Sequence, residues 1–438
     1  MVLVFDSGTT NTKAFLFNEK GELIACASHP TRIMHRSAGM VEQKAEYWWS
    51  AIVESARKLR AAVDWRREDV EAIGISSQGG TFVPLGKKMQ PLRPGITWLD
   101  NRGASISERL NRTYGSDYFF SKTGHYLAGW SPPSICLWLK ETEPQVFSRM
   151  ERLSFVADYL NYRLTGKFFL DGSSAGMTCF YNIVKGRWDE EILKTAEISG
   201  EQMPLLVPAD SPGGSVTEEA AEALNVPAGI PVVAGGHDQY CASLGAGAIN
   251  RGDCLLSCGT AWALLVMTDE PVFIPGSGWF PGRHLRENTF GLMASLGNGG
   301  VVLDWVRKNF RIKDKTKEIN QSPSPGKCSM EEFGVKKSHV AVIPDFMEEK
   351  GAITNISLAD TGSEIYFAAM KSLALRLKER LDRIRDRIEV KRLLMVGGGT
   401  KEKMLPPMVE NETGIEVVLP GIIEAAGRGA AMLAIKEK

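Results

Sequence analysis

Short apolar runs broken by turn residues fill the first thirty positions. Val2 to Phe5, Lys13 to Phe17 and Glu22 to Ala27 read as strands, with Asn18-Glu-Lys-Gly21 as the turn of a hairpin. From Lys44 to Val63 the spacing changes: Trp48, Ile52, Ala56, Leu59 and Val63 recur at steps of three and four, which places them on one face of a helix. Val70 to Ile75 returns to a strand. The opening order is therefore β-β-β-α-β, a mixed sheet with a crossover helix rather than strict βαβ alternation.

Further along, Ile135 to Lys140 and Phe155 to Leu164 read as helices, and Leu170 to Phe180 as strand or loop. Pro204 to Gly214 is rich in Pro and Gly and precedes a helix over Thr217 to Leu224 and an apolar strand, Pro231-Val-Val-Ala234. Asp253 to Met267 then repeats the opening of the chain: apolar strand, Gly-Thr turn, apolar strand. The two turns, Gly8-Thr9 and Gly259-Thr260, lie 251 positions apart, which suggests two similar halves. The second half carries a long helix, Glu364 to Ile388, introduced by the capping box Thr361-x-x-Glu364. It closes with a strand at Arg392 to Val396, a helix at Glu402 to Glu410, a strand at Glu416 to Leu419 and a helix at Glu424 to Ile435. The domain boundary is placed near Gly245 to Asn250, giving units 1–247 and 248–438.

At 438 residues the chain is too long for one core, which agrees with two domains. Lys+Arg 52 balances Asp+Glu 52, so bulk charge gives no drive toward nucleic acid or anionic lipid. Seven cysteines without a CxxC pair argue against a disulfide framework or structural zinc, and point to a reducing cytoplasm. Asp6 interrupts the N-terminal apolar run before a signal-peptide core forms, and Cys254 to Met267, the longest mostly apolar stretch, is too short to span a bilayer. No secretion signal and no membrane partner are expected.

Candidate chemistry sits at the strand ends. Asp6-Ser-Gly-Thr-Thr-Asn-Thr-Lys13 combines a carboxylate, a turn with free amides, hydroxyls and a lysine, parts suited to a phosphate and its magnesium. A plain hairpin with a surface lysine accounts for the same residues. Ser257-Cys-Gly-Thr260 offers similar amides without the charge. Met395-Val-Gly-Gly-Gly-Thr400 lies between strand and helix, but Glu402 stands where the third glycine of a dinucleotide fingerprint belongs, and no Walker A lysine exists. Asp238, after Gly235-Gly-His237, is placed either to take a proton from a hydroxyl or to cap a helix starting at Gln239. Gln78, Trp98, Asp100 and Arg102 form either a polyol wall or a buried indole beside a surface ion pair.

In their order and spacing these segments resemble the FGGY family of carbohydrate kinases, which includes xylulokinases, ribulokinases and glycerol kinases. The resemblance runs through Asp6-Ser-Gly-Thr-Thr10, Gly39-Met-Val-Glu-Gln43, Ile73-Gly-Ile-Ser-Ser-Gln78, Ile96-Thr-Trp-Leu-Asp-Asn-Arg102, Ala234-Gly-Gly-His-Asp-Gln239, Gly252 to Thr260, Gly397-Gly-Gly-Thr400 and Glu424-Ala-Ala-Gly-Arg-Gly-Ala-Ala431. It implies an α/β fold of two ribonuclease-H-like, actin-like ATPase domains around a cleft that closes on substrate, with ATP and Mg2+ between them. It also implies transfer of the γ-phosphoryl to a sugar or polyol hydroxyl. On this resemblance Asp238 is the catalytic base, with Asp6 and Asp238 on the magnesium side. Gly8, Thr9, Thr10, Lys13, Gly259 and Thr260 hold phosphates, and Gly398, Gly399 and Thr400 hold adenosine. Gln78, Gly79, Trp98, Asp100, Arg102 and Gln239 face the sugar. Phosphoryl transfer rests on positioning and charge neutralisation, so the base needs no raised pKa.

Glycerol kinases carry Arg-Glu after the glutamine matched by Gln78, and xylulokinases Met-His; this chain has Gly79-Gly80, a roomier or differently lined wall. Gly129-Trp-Ser-Pro132 is similar to the loop of sugar-specific members, where glycerol enzymes replace the glycine by tyrosine. The expected substrate is a ketopentose of the ribulose or xylulose type. The alternatives are another polyol or sugar (erythritol, glycerol, a hexulose) or a non-catalytic actin-like nucleotide-binding regulator. A homodimer is compatible with the family, and an abbreviated 313–337 region bears on regulatory and oligomer contacts.

Overall fold

The computed structural model describes residues 1–37, 39–310, 339–344, 351–422 and 424–435. The 313–337 region lies outside the described residues. Two six-stranded mixed sheets dominate the molecule. In the first, Val2–Ser7, Asn11–Phe17 and Leu23–Pro30 form an antiparallel meander, and Ala72–Ser77 and Pro231–His237 extend it in parallel from the Val2–Ser7 side. In the second, Asp253–Cys258, Ala261–Thr268 and Phe290–Asn298 form the meander, with Arg392–Val396 and Glu416–Val418 added in parallel. Each sheet carries one further antiparallel edge strand, Pro212–Ser215 in the first and Phe280–Arg283 in the second. The faint Gly-Thr repeat of the sequence is thus a repeat of topology. This is the two-domain actin-like ATPase fold.

Helix limits follow from local chemistry. Ala45–Ala62 buries Trp48, Ile52, Ala56 and Leu59 against the first sheet, each large apolar side chain contributing about 1.5–3 kcal/mol. Gly362–Asp382 begins at the anticipated capping box: Thr361 N–H donates to Glu364 Oε2 at 2.9 Å, and Ser363 N–H to Thr361 Oγ1 at 3.2 Å. It stops at Asp382, short of Ile388. Leu170 to Phe180 is neither a strand nor a plain loop. After the short strand Phe169–Leu170, Asp171 caps a helix over Gly172–Gly176, accepting from the amides of Ser173 (2.7 Å) and Ser174 (3.1 Å). The helix placed at Glu402 starts at Leu405, because a 3₁₀ turn over Gly398–Lys401 takes the preceding residues and the helix opens on a proline-containing first turn.

Packing crosses from one half of the chain to the other. The last helix, Ala425–Ala434, lies on the first sheet, while Asp238–Ala246 touches strands of the second. The two helices cross at backbone contact: a Cβ on Gly245 would meet Ala425 O at 2.0 Å, and one on Gly429 would meet Cys241 O at 1.9 Å. One apolar cluster accordingly joins Val4, Phe15, Cys241, Leu255, Val396 and Ala430 from both halves. A second bridge runs through the segment 273–283. Phe273 meets Phe120 edge-on (5.7 Å between ring centres), Phe280 stacks on His125 (5.2 Å), and Arg283 Nε donates to Ile183 O (2.8 Å). Among the described residues no helix is long and apolar enough to cross a membrane.

Candidate active site

Three parallel strands end together. Register sets Asp6 beside Ser76, and Ser76 beside Gly236, so Asp6, Ser76-Ser77-Gln78 and His237-Asp238 all emerge at the carboxyl ends of neighbouring strands, where α/β sheets hold their ligands. Asp238 is the first residue inside the helix Asp238–Ala246, not the residue before it; His237 occupies the capping position and makes no side-chain cap. The capping reading of Asp238 therefore fails in its simple form, although the Gln239 amide and side chain hydrogen-bond to its carboxyl.

Both carboxyls titrate high. Burial pushes Asp238 up to about 6 against those Gln239 hydrogen bonds. Burial, then the neighbouring Asp238 charge, pushes Asp6 up to about 7, opposed by the hydrogen bond from Ser76 Oγ (2.8 Å) and by Lys13. Two neighbouring carboxyls held above their ordinary range, Asp6 in part by the charge of Asp238, are poised for a cation or for a proton from a substrate. Among the described residues no group of three or more His, Cys, Asp or Glu side chains is placed to hold a metal ion. Two carboxylates with phosphate oxygens still fit magnesium, which keeps most of its ligands as water and phosphate.

The first Gly-Thr turn is less open than its sequence suggests. Gly8 N–H closes the turn on Asn11 O at 3.0 Å, so that amide is occupied. Lys13 Nζ sits 2.6 Å from Glu424 Oε2, its charge matched by a carboxylate at the start of the last helix. Thr9 Oγ1 donates to Gln78 Oε1 (3.1 Å) and accepts from Trp98 Nε1 (2.9 Å), while Gln43 Nε2 donates to Thr9 O (2.7 Å). Gln78 also accepts from Thr81 Oγ1 (3.2 Å) and donates to Gln43 Oε1 (3.1 Å). Gln78 therefore ties the turn to the wall. Gln43, the last residue of a segment that carries the family resemblance, and Thr81, which no sequence pattern marked, belong to this network though neither was among the expected site residues.

Trp98 and the Asp100–Arg102 pair exchange the positions expected of a buried indole and a surface ion pair. Trp98 is 41% exposed, whereas Asp100 is buried and the Arg102 side chain is 2% exposed. Asp100 accepts from Val41 N–H (2.7 Å) and from the Arg102 amide and guanidinium (2.8–2.9 Å), and Arg102 continues to Glu42 (2.9 Å). Much of the hydrogen-bonding capacity of both side chains is thus used within the protein. Gln239 differs, for its Oε1 is buried with no hydrogen-bond partner, as is His237 Nδ1. A substrate hydroxyl would satisfy such an atom.

The glycine wall is not roomier. A Cβ on Gly79 would lie 2.6 Å from Met177 Cβ and 2.8 Å from His237 Cδ2; one on Gly80, at φ +73°, would meet Trp98 Cβ at 3.2 Å and Trp130 Cζ3 at 3.3 Å. Other side chains have taken the space. Gly129 is fixed similarly: a Cβ there would lie 2.0 Å from Asn101 Oδ1, so the tyrosine of glycerol enzymes has no room in this packing.

In the second half of the chain the second and third turns press together. Gly259 O accepts from Gly300 N–H (3.2 Å) and Thr260 O from Val301 N–H (3.2 Å), at the start of the helix Gly300–Asn309. Gly397, at φ +89°, would place a Cβ 2.9 Å from Cys258 O, and Gly399 one 2.6 Å from Cys258 Cβ. Thr400 Oγ1 folds back on Gly397 O at 2.7 Å. Gly259 and Thr260 remain exposed. Closely packed glycine backbone beside a helix start fits phosphate and an adenosine.

Residues 1–245 match the N-terminal domain model of the FGGY family of carbohydrate kinases, and 254–437 its C-terminal domain model. Xylulose kinase of Escherichia coli strain K12 is 25% identical over 423 residues, 94% of this chain and 85% of that protein. L-fuculokinase of the same strain is 26% identical over 448 residues, 99% of this chain and 91% of that protein. Among solved structures, ligand-bound xylulose kinase from Lactobacillus acidophilus superposes with a TM-score of 0.86 at 22% identity, covering 99% of this chain and 89% of that one.

Proposed function

The chain belongs to the FGGY family of carbohydrate kinases and is an ATP-dependent sugar kinase, and from that premise we propose that it phosphorylates a ketopentose of the ribulose or xylulose type. Residues 1–247 supply the sugar wall, the first turn and the base; residues 248–438 supply the nucleotide grip. Asp238 orients the acceptor hydroxyl and takes its proton as the sugar oxygen bonds to the γ-phosphorus and the bond to the ADP oxygen breaks. Gln239 Oε1, buried without a partner, accepts a hydrogen bond from a second hydroxyl. Trp98 covers one face of the sugar, while Gln78, Asp100 and Arg102 hold the wall in place. Asp6 and Asp238 are the residues that would hold magnesium, which when bound neutralises charge on the phosphoryl oxygens. Gly259 and Thr260 receive the phosphates, and Gly398, Gly399 and Thr400 the adenosine.

The observation that carries this reading is the convergence of Asp6 and Asp238 at the ends of neighbouring parallel strands, followed by Gln239, whose Oε1 is buried without a partner. The absence of Arg-Glu at 79–80 and the tight packing at Gly129 support a ketose over glycerol. The test is ADP release with Mg-ATP against D- and L-pentuloses, hexuloses, tetritols and glycerol. A pentulose giving the highest kcat/KM supports the reading, and a preference for glycerol or a tetritol overturns it.

A further inference from the structure

Position 79 has no side chain, yet its space is filled. Met177 Cβ and Cγ lie 2.6 and 2.7 Å from where a Gly79 Cβ would stand, with His237 Cδ2 at 2.8 Å. Met177 is partly exposed between buried neighbours, Ser173 to Gly176 on one side and Thr178 to Ile183 on the other. Its position is held firmly. It follows the short helix Gly172–Gly176, which Asp171 anchors through Ser173 and Ser174. Ser173 Oγ donates to Asp171 Oδ2 (2.6 Å) and accepts from the His237 amide (3.1 Å), immediately before Asp238. The loop that carries Met177 is thus hydrogen-bonded to the strand end that carries the base.

Resting on the sugar-site reading of this cleft, we propose that Met177 is a specificity-determining residue: from a separate loop it supplies the side chain that position 79 lacks, and it sets the width and polarity of the wall. A thioether donates no hydrogen bond and accepts only weakly, so the sugar carbon facing it presents C–H rather than hydroxyl. The preferred ketose is selected there by shape. Shortening Met177 opens room for one more carbon, and making it polar favours a hydroxyl at the same place.

The test compares wild type with Met177→Ala and the near-isosteric Met177→Gln, measuring kcat/KM for a pentulose and a hexulose and KM for ATP. Met177→Ala is expected to shift the hexulose-to-pentulose ratio by about tenfold toward the larger sugar, the scale of a methylene-sized change in an apolar pocket. The KM for ATP should stay within about twofold, because a residue lining only the sugar wall adds no nucleotide contact. Met177→Gln, which keeps the volume, is expected to improve a hexulose over its 6-deoxy counterpart by roughly fivefold. Gly79→Ala should lose activity alone and recover part of it with Met177→Gly. Unchanged sugar ratios in both active variants would overturn the proposal. If Met177→Ala fails to fold, the Met177→Gln ratio decides alone. A wild type that turns over no sugar would instead refute the sugar-site reading, and this inference with it.

Discussion

The hairpins Val2–Phe17 and Asp253–Thr268 are the same object built twice with different chemistry. In each, the first strand is buried except at its partly exposed fifth residue, and the second runs exposed, buried, partly exposed. The partly exposed positions face each other across the ladder: Asp6 pairs with Lys13 in the first hairpin, Ser257 with Ala263 in the second. One copy places a charge pair where the other places two small residues. Around the first turn, side chains do the holding, through Thr9, Gln78, Gln43 and Trp98. Around the second, backbone does it, with Gly299, Gly300, Gly397 and Gly399 allowing approaches that any Cβ would block. On the proposed function the duplicated scaffold divides its labour: the first half, held by polar side chains, would recognise charge and hydroxyls, and the second, held by close backbone packing, would contact the nucleotide.

The sharpest way to break this comparison is to neutralise the two equivalent positions. Asp6→Asn should lower kcat by roughly 10²–10³, as loss of a preorganised charge at a phosphoryl site does, whereas Ser257→Ala should change it less than about threefold. Equal losses in steady-state kinetics would remove the asymmetry. Next in size is Gly399→Ala, whose Cβ would press on Cys258 at 2.6 Å. Overpacking of this kind costs about 1–3 kcal/mol, so thermal unfolding should shift down and the KM for ATP rise while the KM for sugar holds.

The pH profile sharpens the account of the charged half. Asp238 and Asp6 lose their protons near 6 and 7, above the ordinary carboxylate range, and the base works only when ionised. With Asp6 also required ionised to hold magnesium, the kcat/KM for sugar should fall about tenfold per unit as pH drops from 7 to 6 and more steeply below 6, and saturating magnesium should move the limb to lower pH. A flat profile from pH 7 to 5 would contradict it. Smaller than the loss at Asp6 is that from Thr9→Val, which removes two neutral hydrogen bonds, to Gln78 and from Trp98, and should raise the KM for sugar about tenfold; Thr260→Val should act on the KM for ATP instead.

Much of this was legible in the chain. The hairpins were visible because strand-forming runs flank strong turns, and Gly362–Asp382 because Thr361 and Glu364 form a capping box that the structure reproduces. The helix Gly172–Gly176 was hidden by its composition: three small residues between glycines carry no apolar period, and only the Asp171 cap signals it. At the site, Asp6, Asp238 and the glycine turns stood out because charge and glycine are conspicuous at strand ends. The roles of Gln78, Asp100 and Arg102 did not, since a buried, saturated polar group and a free one have the same letter in the sequence. Met177 was invisible because what makes it matter is a glycine 98 positions away that it touches only in the fold.

The most direct test is Asp238→Asn, which keeps the shape of the side chain and removes its ability to take a proton. Sugar-dependent ADP release and ATP binding by calorimetry would be measured on the same preparation. The account predicts that turnover falls at least about 10³-fold, as loss of a general base and of a positioned charge together should, while the affinity for ATP stays within about threefold. Retention of sugar-dependent turnover within tenfold of wild type would contradict it.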